Sequence, residues 1–144
     1  MPHSSRIRLN IGSNKGNRAA MIRRAVALVA SGIKGAVVRV SSPVESEPWG
    51  YESANRYLNV GVLLCVPGHV HPLAVLRVTQ AAERALRSGP HRNADGSYRD
   101  RCIDIDIIDI DRRPYRSSRL VIPHPRMLER EFVLRPLLEL ESDW

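Results

Sequence analysis

The sequence predicts an α+β fold, because two kinds of hydrophobic pattern alternate along it in a recognisable order. Short segments in which apolar residues alternate with polar ones, or run continuously, are typical of strands. Segments in which apolar residues recur every three to four positions are typical of helices. The order is strand, helix, strand, strand, helix, strand, followed by a proline-rich tail. This order is the split βαβ, or ferredoxin-like, pattern with a short C-terminal extension, and we predict one domain over residues 1–144.

The first half of the chain supplies two strands and a helix. Residues 6–11 alternate polar and apolar side chains, which predicts strand one. After a glycine-containing turn, Asn17 can cap a helix that ends at Gly32. Residues 35–42 are rich in valine and predict strand two. Residues 42–53 contain two prolines and a glycine, and predict a long loop of the kind that often serves function.

The second half supplies two more strands around a second helix. Residues 55–66 predict strand three, and a proline in the first turn and a glycine after the end delimit a helix over 72–88. A polar loop over 90–98 separates this helix from strand four at 101–108. Four prolines beyond strand four predict that any helix there is limited to short pieces.

The chain is strongly basic, with a net charge of +7, and Lys15 and Lys34 are its only lysines. Arginine matches phosphate oxygens with a planar fork of donors, so the charge indicates an anionic partner. Nucleic acid, a nucleotide and a membrane surface all satisfy that description, as does a surface that is merely solubilising.

The lengths of the apolar segments and the spacing of the cysteines lead to expectations about the compartment and the thiol state. It has no apolar run of transmembrane length and no apolar signal segment near its start, so we expect a cytoplasmic protein. Cys65 and Cys102 lack CxxC spacing, and we expect buried, reduced thiols.

The segment from Cys102 to Asp111 is the most informative one. On a strand, Asp104 and Asp106 share one face, about 7 Å apart, while the isoleucines between them face the core. Two like charges on one face favour a cation between them, and Mg²⁺ prefers such oxygen ligands. A solvent-facing acidic sheet edge is the alternative. The doublet at 107–108 breaks the alternation, so Asp109 and Asp111 either face the other way or lie past the strand.

Two other groups of residues could bind a ligand. Gln80 and Glu83 share one face of the second predicted helix, where a solvated surface is the ordinary explanation. Trp49, Tyr57 and Phe132 lie outside clear core runs. Each of these aromatic residues could belong to the core or stack on a flat ligand.

Taken together, these segments resemble the 6-hydroxymethyl-7,8-dihydropterin pyrophosphokinase family over about residues 6–140. The strings that carry the resemblance occur in the family's order at residues 9–14 (LNIGSN), 46–50 (SEPWG), 57–60 (YLNV), 100–106 (DRCIDID), 123–126 (PHPR) and 130–134 (REFVL). The resemblance implies transfer of pyrophosphate from ATP to the hydroxymethyl group of a pterin alcohol, with release of AMP, in folate biosynthesis. It implies neither nucleic acid nor membrane as partner, and we expect a monomer.

The resemblance also implies roles for individual residues. Asp104 and Asp106 would hold two Mg²⁺ ions and, with Arg101 and Arg92, form the catalytic set. Arg87 is the alternative to Arg92, because the spacing after the second helix departs from the family's pattern. The pterin would contact Gly12, Ser46, Pro48, Trp49, Tyr57, Asn59 and Phe132. ATP would contact Gln80, Glu83, Tyr98, Ile107, Arg119, His124 and Arg130.

Two alternatives remain open at this point. A basic nucleic-acid binding module could share the split βαβ layout, although the aromatic pattern of RNA-binding sheets is missing. An inactive regulatory relative is the other, although Arg101, Asp104, Asp106 and His124 are all present. The polar loop from Pro90 to Arg101 could act as a lid over ATP.

Overall fold

The computed structural model describes residues 4–46, 56–87 and 103–141 of the chain. Within these ranges the strands are β1 (Ser4–Ser13), β2 (Val37–Val40), β3 (Val44–Ser46), β4 (Tyr57–Pro67), β5 (Asp104–Ile110), β6 (Tyr115–Arg116) and β7 (Val121–Ile122). The helices are α1 (Arg18–Gly32), α2 (Pro72–Leu86) and α3 (Glu131–Glu141), and a 3₁₀ turn (Met127–Glu129) precedes α3. None of the described helices is long and apolar enough to cross a membrane.

Five strands form one antiparallel sheet in the order β2-β4-β1-β5, and β3 pairs with β4 on the same side as β2. The strands β6 and β7 form a separate two-stranded ribbon. The predicted α+β class is therefore confirmed, as an antiparallel sheet with three helices. The ferredoxin-like topology in its finer sense stays a prediction.

One face of the sheet packs against α1 and α2. On β1, the alternating residues Ile7, Leu9 and Ile11 are fully buried in this first core. The helices meet them with apolar residues at helical spacing: Ile22, Ala25 and Val29 on α1, and Val75, Ala82 and Leu86 on α2. The side chain of Asn17 accepts a hydrogen bond from Ala20 N at 3.0 Å, which confirms the predicted cap of α1.

The opposite face packs against α3. Its second core contains Leu63 of β4, Ile108 of β5, and Val133, Leu137 and Leu140 of α3. The prediction that prolines limit this region to short helical pieces is therefore wrong, since α3 spans 11 residues with Pro136 inside it. Gly61 on β4 explains how the proline fits: a Cβ at Gly61 would lie 3.0 Å from Pro136 Cβ. A helix that loses one backbone bond is stabilised here by close packing on the sheet.

A β-bulge interrupts the pairing of β1 with β5. Arg8 lies opposite Asp109 whereas Leu9 lies opposite Ile107, so Ile108 is an extra residue on β5. The bulge turns Ile108 into the second core and leaves Asp109 within bonding distance of Arg8, with Arg8 Nη1 2.8 Å from Asp109 Oδ1. Asp109 therefore lies inside the strand, on the face of Arg8.

Several predicted boundaries and environments need correction. Strand one is longer than predicted, since β1 spans Ser4–Ser13. Strand two is shorter than predicted, since β2 spans only Val37–Val40. The predicted loop over 42–53 contains β3 in its described part. The second helix ends at Leu86. Cys65 is a free thiol that is only partly buried, because it packs at the margin of the second core, and Cys102 lies outside the described residues.

Candidate functional site

The ends of three strands bring several of the predicted site residues together. Antiparallel pairing places Gly12, near the end of β1, directly between Asn59 of β4 and Asp104 of β5. Tyr57 stands two residues before Asn59 and so shares its face of the sheet. Beyond β4, Ser46 ends β3. This face is the one that α3 covers farther along the sheet, so the site lies beside the beginning of α3.

Asn59 is buried with a fixed amide orientation. Its Nδ2 donates to Val44 O at 3.1 Å and to Ser46 Oγ at 2.8 Å. Its Oδ1 faces Gly12, where a Cβ would lie 2.8 Å from that oxygen and 3.1 Å from the Tyr57 ring. Any larger residue at position 12 would therefore displace the two side chains. The predicted residues Gly12, Ser46, Tyr57 and Asn59 are therefore neighbours at this end of the sheet, where Ser46 is half-buried and the other three are buried.

Asp104 is held by contacts to both of its carboxylate oxygens. Tyr57 Oη donates to Asp104 Oδ2 at 2.9 Å, and the Arg87 guanidinium donates to Asp104 Oδ1. Arg87 Nε also donates to Ile103 O at 2.8 Å. Glu83 joins the group, because its Oε2 accepts from Ile105 N at 2.8 Å and lies 3.4 Å from Arg87 Nη2. The end of α2 thus binds the outer edge of β5 through side chains.

Asp106 lies deeper than Asp104 and carries a strongly perturbed pKa. Burial, followed by the nearby charges of Asp104 and Glu83, raises the pKa of Asp106 to about 6, although Arg130 and Arg87 act in the opposite direction. Burial therefore disfavours the ionised form of Asp106, and the neighbouring carboxylates add to that effect. An additional cation would favour the ionised carboxylate.

The beginning of α3 contributes the basic and aromatic side of the site. Arg130 is buried, with its guanidinium carbon 5.8 Å from the centroid of the Phe132 ring. His124 donates its backbone N–H to Ile108 O at 2.9 Å, and its Nδ1 accepts from Met127 N at 3.3 Å. Burial and the charge of Arg130 lower the pKa of His124, so this imidazole is neutral at pH 7.

The remaining predicted residues lie in different environments. Gln80 is half-buried on α2, three residues before Glu83. Arg119 is exposed between β6 and β7, with its backbone N–H bound to Ser117 Oγ. The side chain of Ile107 is buried in the first core, so only its backbone faces the edge of the sheet. Five predicted residues lie outside the described residues: Pro48, Trp49, Arg92, Tyr98 and Arg101. The proposed lid segment from 90 to 101 lies there too.

Two residues near the carboxylates were not assigned a role there by sequence reasoning. Arg87, considered only as an alternative catalytic-loop arginine, contacts Asp104 directly. Its i,i+4 spacing from Glu83 was the available signal. Asn10 is a buried polar residue directly opposite Asp106. Its position two residues before Gly12, on the same face of β1, was the signal in that case.

The donor set of this site fits Mg²⁺ bound together with a phosphate ligand. Among residues 4–46, 56–87 and 103–141, no group of three His, Cys, Asp or Glu residues forms a complete metal cage. Mg²⁺ sites of enzymes that use nucleotides commonly consist of one or two carboxylates, substrate phosphates and water. Asp104 and Asp106, on one face of β5, are such a pair.

Comparison with known proteins identifies the family. The family described as 7,8-dihydro-6-hydroxymethylpterin-pyrophosphokinase matches residues 8–142. The chain is 37% identical over 130 residues to the 2-amino-4-hydroxy-6-hydroxymethyldihydropteridine pyrophosphokinase of Bacillus subtilis, which covers 90% of this chain and 74% of that protein. It is 38% identical over 133 residues to the protein of the same name from Porphyromonas gingivalis, which covers 92% of this chain and 88% of that protein.

Two further comparisons are more limited in what they cover. A folic acid synthesis protein of Pneumocystis carinii is 37% identical over 137 residues, which are 94% of this chain and 17% of that protein. Among solved structures, a dinuclear metal binding peptidase of Bacillus subtilis matches 74% of this chain and 26% of its own, at 15% identity and a TM-score of 0.32, which supports no inference. From the match over residues 8–142 and the identities above 30%, the chain belongs to the 7,8-dihydro-6-hydroxymethylpterin-pyrophosphokinase family.

Proposed function

We propose that the chain transfers pyrophosphate from ATP to the hydroxymethyl group of 6-hydroxymethyl-7,8-dihydropterin, and releases AMP, as a step of folate biosynthesis. The observation that carries the proposal is the grouping of Asp104 and Asp106 with Gly12, Tyr57 and Asn59 at one end of the sheet, in a chain of this family. In this proposal the two carboxylates would hold metal and phosphate, and the neighbouring Tyr57 and Asn59 would contact the flat ligand.

The pterin would bind on the side of the site that faces β3 and α3. Tyr57 and Phe132 would contact the two faces of its ring, since aromatic side chains stack on flat heterocycles. Asn59 would contact the edge, with Gly12 and Ser46 beside it. Pro48 and Trp49, from the segment that follows β3, would complete this pocket.

ATP would bind across the carboxylates toward α2 and the segment before α3. Arg130 and neutral His124 would contact the nucleotide as a cation and as a hydrogen-bonding group, respectively. Other expected contacts come from the following residues: Gln80, Glu83, Tyr98, Arg119 and the backbone of Ile107. Two Mg²⁺ ions held by Asp104 and Asp106 would neutralise charge on the triphosphate oxygens.

The reaction is a displacement at phosphorus in which positioning and electrostatics supply the catalysis. The hydroxymethyl oxygen forms a bond to the β-phosphorus, the bond from that phosphorus to the α–β bridging oxygen breaks, and AMP leaves. The hydroxyl proton passes to solvent. Arg101, together with Arg92 or Arg87, would stabilise the charge that develops on the leaving oxygen. We further propose a monomeric, cytoplasmic enzyme with the ferredoxin-like arrangement predicted from the sequence, in one domain.

The test is AMP formation from ATP with and without 6-hydroxymethyl-7,8-dihydropterin. We expect AMP only when the pterin and Mg²⁺ are both present, and a loss of at least about 100-fold in turnover for Asp104→Asn and Asp106→Asn. Asp111→Asn is the matched control, because Asp111 lies past β5 at a positive φ that asparagine tolerates. AMP release that does not depend on the pterin would contradict the proposed reaction. Normal turnover of Asp104→Asn or Asp106→Asn would contradict the assignment of that residue as a metal ligand.

A further inference from the structure

Asn10, in the middle of β1, is a polar residue in an unusual environment. It is 4% exposed, and its Oδ1 has no hydrogen-bond partner among the described residues. A buried amide oxygen without a partner costs about 1–3 kcal/mol, and an apolar residue of similar size would avoid that cost. The amide therefore calls for an explanation other than the stability of the strand.

The register of the sheet places Asn10 next to Asp106. Ile11 and Leu9 face the first core, so Asn10 faces the opposite side, and Asp106 does so for the same reason. The two residues are direct cross-strand partners, whose Cβ atoms in an antiparallel pair lie about 4.5–5.5 Å apart. On its other side Asn10 faces Gly61, which has no side chain.

The chemistry of the two side chains indicates what they would share. An ionised carboxylate only accepts hydrogen bonds, and the unpaired atom of Asn10 is also an acceptor. Two neighbouring acceptors suit a cation or the water molecules around one. Mg²⁺ usually keeps several waters when a protein binds it, and the residues that accept hydrogen bonds from those waters orient the metal.

We propose that Asn10 is a positioning residue for the metal, and that its Oδ1 accepts a hydrogen bond from water bound to the ion that Asp106 would hold. This inference rests on the metal site of the proposed function. It adds a residue from the central strand of the sheet to a site otherwise formed by β5 and the segments around it. It also gives the buried amide its missing hydrogen-bond donor.

The experiment is a titration of the full chain with Mn²⁺ in the absence of substrates, in which electron paramagnetic resonance measures the concentration of the free ion. The titration is then repeated with a non-hydrolysable ATP analogue. We expect Asn10→Ala to lose about 10-fold in Mn²⁺ affinity, the lower end of what loss of an outer ligand-orienting group costs. Asn10→Ser keeps an oxygen at this position and should lose less. Thr79→Val is the control, since Thr79 is equally buried and polar but lies on α2 in the first-core layer.

A second measurement is the rise in Tm that Mn²⁺ causes, which should be smaller in Asn10→Ala than in the unchanged chain. Equal Mn²⁺ affinity and equal Tm rise in Asn10→Ala, or in Asn10→Leu if the alanine variant does not fold, would overturn the inference while leaving the metal site intact. Failure of the unchanged chain to bind Mn²⁺ in either condition would overturn the metal site and the inference together.

Discussion

In the metal-free protein, ionised Asp106 should lower the free energy of unfolding, and substitution of this residue should reveal the effect. Its folded-state pKa of about 6 lies above the ordinary aspartate value of 3.8, so the folded state binds the proton more tightly than the unfolded state does. The free energy of unfolding therefore falls as pH rises from about 4 to about 6, and stays lowered above that range. Asp106→Asn should remove this loss.

We expect metal-free Asp106→Asn to be more stable than the unchanged chain at pH 7.5 by on the order of 2 kcal/mol, and equally stable near pH 4. Urea unfolding in the presence of a chelator, at a series of pH values, measures the difference. Parallel pH profiles for the two proteins would show that burial and the charge of Asp104 do not perturb Asp106 as described.

In the proposed site, Arg87 and a divalent cation would compete for Asp104. The Arg87 guanidinium donates to Asp104 Oδ1, one of the two oxygens through which Asp104 would bind the proposed metal. Arg87→Gln should therefore lower the metal-free stability by about 1 kcal/mol, because Asp104 and Ile103 O lose their donor. The same variant should bind Mn²⁺ more tightly than the unchanged chain.

Arg84→Gln is the control for this pair of measurements. Arg84 is exposed on the same helix, in its last turn, so its removal leaves the contacts of Asp104 in place. Calorimetry with Mn²⁺ and urea unfolding provide both readouts. If Arg87→Gln and Arg84→Gln had the same Mn²⁺ affinity and the same free energy of unfolding, the contact of Arg87 with Asp104 would contribute to neither quantity.

Single residues were predictable from the sequence where strand alternation alone decides their position. The shared face of Asp104 and Asp106 follows from the period of two and is found in the structure. The contact of Arg87 with Asp104 was not predictable, because it depends on how the end of α2 docks on the edge of β5. The pairing of Asn10 with Asp106 required the register of β1 with β5, which pattern alone does not give.

At the level of elements, the two sides of α3 should contribute unequally to stability, because only one of them packs on the sheet. Leu137 is buried in the second core, whereas its neighbour Leu138 is 62% exposed. Leu137→Ala should lower the free energy of unfolding by about 2–4 kcal/mol through lost burial and a cavity. Leu138→Ala should change it by less than about 0.5 kcal/mol. Urea unfolding of both variants checks the contrast, and equal values would contradict the described packing of α3.

The existence of α3 as a full helix could not be read from its own sequence. Pro136 argues against a helix there when local propensity is considered alone. The compensating residue is Gly61, 75 positions earlier by their numbering, where a Cβ would come within 3.2 Å of both Pro136 and Leu137. Tertiary packing between distant segments therefore overrides the local signal, and only the assembled sheet shows it.

For the molecule as a whole, the charge of +7 has a testable effect on binding. A basic protein attracts triphosphate from a distance, and salt screens that attraction. We expect the KM for ATP to rise several-fold as ionic strength increases from about 0.05 to about 0.5 M. The KM for the uncharged pterin is the internal control and should change much less. Equal changes in both KM values would contradict an electrostatic role for the arginines.

The bulge at Ile108 has an evolutionary consequence, since it divides β5 into two parts that can vary separately. Because Ile108 is the extra residue, its deletion would restore regular pairing and leave the partners of Asp104 and Asp106 unchanged. The lost residue would take with it an apolar side chain of the second core and the carbonyl that binds His124 N. A chain lacking Ile108 should therefore keep its Mn²⁺ affinity while it loses nucleotide affinity and stability. Relatives that differ in length at this point could in the same way keep the pairing of Asp104 and Asp106, while insertions or deletions there would alter the second core and the contact with His124.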